Sequence, residues 1–255
     1  MSAIMKLDGI GMKYQSPQDE ITALENITFE VEKGEFISIV GPSGCGKSTL
    51  LSVMAGLLPD YSGSVEICGK KVTETAAEIG YMLQSDQLFQ WRSVWQNVLL
   101  GLEIRRMKTA ENMDYAKKLL KTYGLYEFSD KRPSELSGGM RQRAALIRTL
   151  AVRPEILLLD EAFSALDYQT RLAVCEDIYS IIKQEQKTAV LVTHDISEAI
   201  SMSDRVIVLT KRPATVRSIH KISFDLDVRS PMACRETAQF RVYFNDIWKE
   251  LDVHV

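Results

Sequence analysis

Little in this sequence would hold it in a membrane or on nucleic acid. Its longest apolar runs, such as Ile156 to Leu159 and Ala189 to Val192, fall far short of the roughly 20 residues a membrane-spanning helix needs. If the chain works at a membrane, another chain must cross it. Residues Met1 to Ile10 lack a basic stretch followed by an apolar core, so no secretory signal is expected. Charge of one sign is also missing: 31 Lys and Arg stand against 34 Asp and Glu, for a net charge of −3. No basic field is available for a phosphate backbone. Cysteine is sparse, and Cys45, Cys68, Cys175 and Cys234 form no C-x-x-C pair and lie near no histidine cluster. Zinc and redox chemistry are therefore disfavoured, and the thiols read as free in a reducing compartment. Repeats and low-complexity tracts are absent. What remains is an ordinary globular composition, 45% hydrophobic and 25% charged over 255 residues, enough chain for a core without staples.

The order of elements is the informative part. Phe36 to Val40, Ile156 to Leu159, Thr188 to Val192 and Arg205 to Leu209 are short apolar or β-branched runs that predict strands. The continuous run of Ile156 to Leu159 suits a strand buried on both faces of a parallel sheet. Helical spacing over Leu50 to Leu58 and Gln169 to Ile182 alternates with them, which argues for an α/β fold. Ile21 to Val31, Val65 to Ile67 and Ile79 to Tyr81 predict shorter strands in an antiparallel flank. Between about Gln84 and Leu150 the strand signal disappears. Ser93 caps a predicted helix over Val94 to Ile104, and Thr109 caps a second with Ala116, Leu119, Leu120 and Tyr123 on one face, ended by Gly124. The spacing thus predicts one domain over residues 1–255: an α/β core with its β flank in 1–83 and 151–225, a helical insertion in 84–150, and a helical tail in 226–255. In the tail, Ser230-Pro231 opens an amphipathic segment whose face is Phe240, Phe244, Ile247, Trp248 and Leu251.

Gly41-Pro42-Ser43-Gly44-Cys45-Gly46-Lys47-Ser48 fits G-x-x-x-x-G-K-[ST], after a predicted strand and before a predicted helix. Glycines let the main chain wrap phosphates, and the N–H groups of the following helix start face the anion. Lys47 is expected to neutralise the β- and γ-phosphates of ATP, Ser48 to reach Mg²⁺, and Thr49 to reach the α-phosphate. Cys45 occupies a free position of the motif; alkylation of its thiol would block the loop. Downstream, the apolar strand of Ile156 to Leu159 ends in Asp160-Glu161. Acids at the C-terminal end of a parallel strand lie where α/β sheets bind ligands. Asp160 is the expected Mg²⁺ residue and Glu161 the expected base or polariser for the attacking water.

Leu136-Ser137-Gly138-Gly139-Met140-Arg141-Gln142 exceeds the generic nucleotide-binding pattern. It resembles the signature of the ABC transporter ATPases, and the chain is similar to that family in motif order along nearly its whole length. The resemblance implies a P-loop ABC ATPase fold and a head-to-tail homodimer, in which Ser137, Gly138, Gly139 and Asp167 of one subunit close on the ATP of the other. It further implies that Tyr14 stacks on adenine, that Gln84 approaches Mg²⁺ and the attacking water, and that His194 contacts the γ-phosphate. Met140 stands where the family more often has Gln, and Ala162 where it often has Pro; neither change removes a catalytic group.

Trp91-Arg92-Ser93-Val94, Asn97-Val98, Gly101-Leu102-Glu103, Gln169-Thr170-Arg171, Asp195-Ile196 and Arg212-Pro213 resemble the nitrate, sulfonate and taurine importer branch. Gln90 departs from it by replacing a Pro. This resemblance implies a peripheral protein on the cytoplasmic face of the plasma membrane, a separate membrane-spanning permease, and indirectly an extracytoplasmic solute-binding protein. The stretch Leu88, Phe89 and Trp91 is expected to dock the permease, ordinary core packing being the alternative. A scaffold or assembly ATPase with soluble partners carries the same motifs and is the competing reading.

Overall fold

Two sheets share one apolar core in this computed structural model, which describes residues 3–15 and 20–252, the last by its backbone alone. In chain order the elements are β1 (Ala3–Gln15), β2 (Glu20–Glu32), β3 (Phe36–Val40), α1 (Lys47–Met54), β4 (Ser62–Ile67), β5 (Lys70–Lys71) and β6 (Ile79–Met82). The helices α2 (Val94–Val98), α3 (Leu100–Ile104), α4 (Ala110–Thr122) and α5 (Gly138–Leu150) follow. Then come β7 (Ile156–Asp160), α6 (Tyr168–Gln184), β8 (Thr188–Val192), α7 (Ile196–Met202), β9 (Arg205–Leu209), β10 (Val216–Lys221), α8 (Pro231–Glu236) and α9 (Ala238–Asp252). The smaller sheet is antiparallel, in the order β2-β1-β4-β5. The larger has the order β10-β9-β3-β8-β7-β6 and is parallel except for β10.

The apolar runs follow directly from this layering. Along β7, Leu157 and Leu159 enter the core shared with the helices that include α5 and α6, whereas Ile156 and Leu158 enter the core shared with α1 and the antiparallel sheet. Ala189 and Leu191 of β8 divide from Val190 and Val192 in the same way. A strand covered on both faces has no polar side, so it reads as continuous rather than alternating.

Several expectations needed correction. Ile79 to Tyr81 does not join the antiparallel flank: β6 is the edge of the parallel sheet, with Ile79 opposite Ile156 and Met82 opposite Leu159. Its bare Gly80 accounts for the fit, since a Cβ there would come within 2.6 Å of Thr149 Cγ2. A four-residue apolar run carries no information about the direction of its partner. The first helix ends at Met54 instead of running to Leu58, and Gly56 turns the chain with φ 71°. The expected Val94 to Ile104 helix is two short helices that meet at Leu99. The tail is likewise two helices: α8 is capped by Ser230, and Thr237 is extended and accepts the Phe240 N–H at 3.2 Å.

Strands β1 and β10 lie outside the sequence reading. In β1 the register shifts between Leu7 and Ile10, around Gly9 with φ 62°. That bulge breaks the two-residue alternation by which a strand is recognised. The tail packs as expected: Ile247 is fully buried, with Phe240, Phe244 and Leu251 against β9 and α7 residues such as Val208 and Ile200. Trp248 is the exception, 51% exposed and stacked on Phe244.

Candidate functional site

The loop after β3 and the carboxyl ends of β7 and β8 converge on one cleft of about 550 Å³. Ser43, Gly44, Gly46, Lys47, Ser48, Thr49, Glu161, His194 and Arg212 line it. Gly44 and Gly46 hold φ values of 72° and 119°, conformations that side chains with a Cβ rarely adopt. Gly41 is needed for space, because a Cβ there would lie 2.9 Å from Cys45 Sγ. Cys45 is buried and its N–H donates to the Pro42 carbonyl at 3.2 Å. Burial also pushes its thiol pKa up, so alkylation at this position is disfavoured by both access and ionisation.

Lys47 is buried, and its Nζ donates to the carbonyls of Gly41 at 2.8 Å and Pro42 at 3.0 Å. An ammonium has three donors, so one remains for an anion. Ser48 Oγ donates to Asp160 Oδ1 at 3.0 Å, which ties the start of α1 to the end of β7. Tyr81 of β6 donates to the other carboxylate oxygen at 3.3 Å. Burial pushes the Asp160 carboxyl above its ordinary range, against the two hydrogen bonds that lower it. The Tyr81 phenol is pushed up to about 12 by burial and the neighbouring carboxylate.

Glu161 follows immediately and sits at φ 44°, a strained conformation for a residue with a Cβ. Its N–H donates to the Val192 carbonyl at 2.8 Å. This bend brings its Oε2 within 3.3 Å of both His194 Nδ1 and Gln84 Nε2. The next residue, Asp195, caps α7 through the N–H groups of Ser197 and Glu198. Gln84 also reaches Ser164 Oγ at 3.5 Å. The three expected catalytic side chains, from three separate segments, are therefore together.

Tyr14 stands at the Thr49 side: its hydroxyl is 3.1 Å from Thr49 Oγ1 and its ring is 42% exposed. Ser137, Gly138, Gly139 and Asp167 do not line this cleft. Ser137 caps α5 through the Met140 N–H at 3.3 Å, and Asp167 caps α6 through Thr170. Hydrogen bonds from the Thr170 backbone hold the Asp167 carboxyl below its usual range. The paired glycines have a local reason as well, since a Cβ on either would lie 3.0 Å from Leu166 or Val174.

Sequence reasoning missed two participants. Tyr81 carries no local signal, because its partner Asp160 is distant in sequence. Arg212, noted only as a branch resemblance, donates from Nη2 to the Gly44 carbonyl at 2.7 Å and lines the cleft.

The oxygen donors Ser48, Asp160 and Gln84 fit a hard divalent cation, and a buried carboxylate with a raised pKa gains from one. Among the described residues no cluster of His, Cys, Asp and Glu forms a separate metal site. No helix among them is long and apolar enough to cross a membrane.

Residues 24–164 match the family model described as ABC transporter. The chain is 48% identical over 250 residues to an uncharacterized ABC transporter ATP-binding protein of Bacillus subtilis, covering 98% of this chain and 96% of that one. It is 39% identical to a nitrate import ATP-binding protein of Synechocystis over 89% of this chain and 85% of that one. Identity is 38% to an aliphatic sulfonates import ATP-binding protein of Bacillus cereus, over 86% and 84% of the two chains. Among solved structures it superposes with a TM-score of 0.72 on a dimeric ATP-binding cassette in a post-hydrolysis state bound to ADP and Pi. Those two chains are 32% identical, with 86% of this chain and 99% of that one covered.

Proposed function

Because the chain belongs to the family of ABC transporter ATP-binding proteins and is an ATPase, we propose that it is the motor subunit of an importer for a small solute. In this reading two copies pair head to tail on a separate permease at the cytoplasmic face of the membrane. The observation that carries the chemistry is the meeting of Glu161, His194 and Gln84 within 3.3 Å contacts at the open side of the phosphate loop.

The residues divide the work by position. The main chain of Gly44 to Thr49 cradles the phosphates, and Lys47 offers its remaining donor to them. Tyr14, beside Thr49, is the platform for adenine. Glu161 accepts a hydrogen bond from the attacking water and draws its proton, while His194 and Gln84 hold the Glu161 carboxylate in place. Ser48, Asp160 and Gln84 would hold Mg²⁺, which when bound supplies charge neutralisation at the phosphate oxygens. Ser137, Gly138, Gly139 and Asp167 act on the partner's ATP. The dimeric cassette of similar fold supports that assignment.

An importer reading needs a surface for the permease. Leu88 is buried, but Phe89 and Trp91 are 37% and 71% exposed and stack with ring centroids 4.8 Å apart. Gln84, five residues before Phe89, contacts Glu161, so a load on this surface reaches the hydrolytic site. Residues 84–150 are the arm that carries it. The relatives named for nitrate and sulfonate import favour an oxyanion or sulfonate as the solute, captured outside by a binding protein.

The deciding experiment is affinity purification of tagged Glu161→Gln with ATP and Mg²⁺ from mildly solubilised membranes. Recovery of a multi-span permease is expected. Recovery of soluble partners alone, with none of the chain in the membrane fraction, would replace the importer with a scaffold ATPase.

A further inference from the structure

We propose that Arg212 is a second phosphate-binding cation of the cleft, contacting the terminal phosphate and so favouring ATP over ADP. The inference rests on the reading of this cleft as an ATP site. Among the residues lining it, Lys47 and Arg212 are the lysine and the arginine, and they come from different elements. Lys47 rises from the start of α1. Arg212 reaches in from the turn between β9 and β10.

That turn is a fixed platform. The Thr210 N–H donates to the Thr215 carbonyl at 3.1 Å, and the Thr215 N–H donates to Thr210 Oγ1 at 2.9 Å. The turn is also stitched to β2: Ala214 N–H donates to the Ala23 carbonyl at 3.0 Å, and Glu25 N–H donates to the Ala214 carbonyl at 2.9 Å. From this base the Arg212 side chain leans over the loop and spends one donor on the Gly44 carbonyl at 2.7 Å. A guanidinium carries five donors in a planar fork that suits phosphate oxygens. The bond to Gly44 therefore aims the fork without consuming it.

The position selects the terminal phosphate. Thr49, with Tyr14 beside it, marks the nucleoside side of the cleft. Gly44 precedes the helix start, and Arg212 shares the cleft with the Glu161–His194 pair that must face the bond to be broken. A cation held there meets three negatively charged oxygens in ATP and none of them in ADP.

The test titrates ATP and ADP, each with Mg²⁺, against the full-length wild type, Arg212→Ala, Arg212→Lys and Lys47→Ala, with thermal midpoints confirming folding. Arg212→Ala is expected to weaken ATP about tenfold while ADP changes less than about twofold, with Arg212→Lys between, since Lys keeps the charge and loses the fork. Equal weakening of ATP and ADP would make Arg212 a support of the loop alone and overturn the proposal, as would no change in either. A wild type that binds neither nucleotide would sink the ATP-site reading and this inference together. If Lys47→Ala loses both nucleotides while Arg212→Ala matches wild type, only the inference falls.

Discussion

Asp160 and Glu161 are adjacent carboxylates held to different tasks by their surroundings. Asp160 is 8% exposed and its pKa is raised mainly by burial. A raised carboxyl pKa gives stability that is present below the unfolded value, about 3.9, and lost as pH rises through the folded value. At neutral pH the ionised group is thus a liability to the fold that function requires. Asp160→Asn should raise Tm at neutral pH, because it removes a buried charge whose desolvation outweighs its hydrogen bonds. The gap from wild type should close toward about pH 4, while Mg²⁺-dependent ATPase activity is lost. Thermal melts across pH decide it, and a lower Tm for the variant at neutral pH would contradict the argument. Glu161→Gln keeps the size and the contacts to His194 and Gln84 but removes the base. Its kcat should fall about 10²- to 10⁴-fold with ATP affinity nearly unchanged, as read from turnover and equilibrium binding.

At the scale of elements, the segment leading into α2 is held by one buried amide. Asn97 Oδ1 accepts from Phe89 N–H at 2.7 Å, and its Nδ2 donates to the carbonyls of Phe89, Arg92 and Ser93 at 3.0–3.2 Å. The side chain is fully buried, and its removal leaves the Phe89 N–H and the Arg92 carbonyl without these partners. Asn97→Ala should cost about 2–4 kcal/mol by denaturant melts and should reduce transport more than ATP binding, because Phe89 and Trp91 lose their mount. Phe89→Asp probes the same surface without that cost: transport should vanish while ATP still binds. Loss of folding in Phe89→Asp would return the segment to ordinary core packing. The segment also reaches the signature helix, since Arg148 of α5 donates to the carbonyls of Asp86 and Gln87, and Arg141 to Asp86 Oδ2. Hydrogen bonds thus tie the segment before Phe89 to the helix that Ser137 caps.

At the scale of the whole molecule, the proposed function has the phosphate loop and the signature of one chain serve different clefts. Hydrolysis in this reading needs two copies, and ATP is the contact that stabilises closure. Glu161→Gln with ATP and Mg²⁺ should elute as a dimer by light scattering and as a monomer with ADP. Ser137→Arg added to that variant should remain monomeric while each chain still binds ATP. A dimer unaffected by Ser137→Arg would assign closure to another surface.

The phosphate loop, the Asp160-Glu161 pair, the paired signature glycines and the buried strands were all legible in the sequence. Each is a local pattern: a backbone that must bend, a helix that must start, or a strand with two apolar faces. Tertiary structure alone decided the rest. The parallel pairing of β6 with β7 is a long-range contact, and the bulge in β1 hides its alternation. Arg212 and Tyr81 enter the site through partners that are remote in sequence, Gly44 and Asp160. Local patterns fix which groups are available because they depend on neighbours along the chain. Which of those groups meet depends on long-range packing, and no window of the sequence contains it.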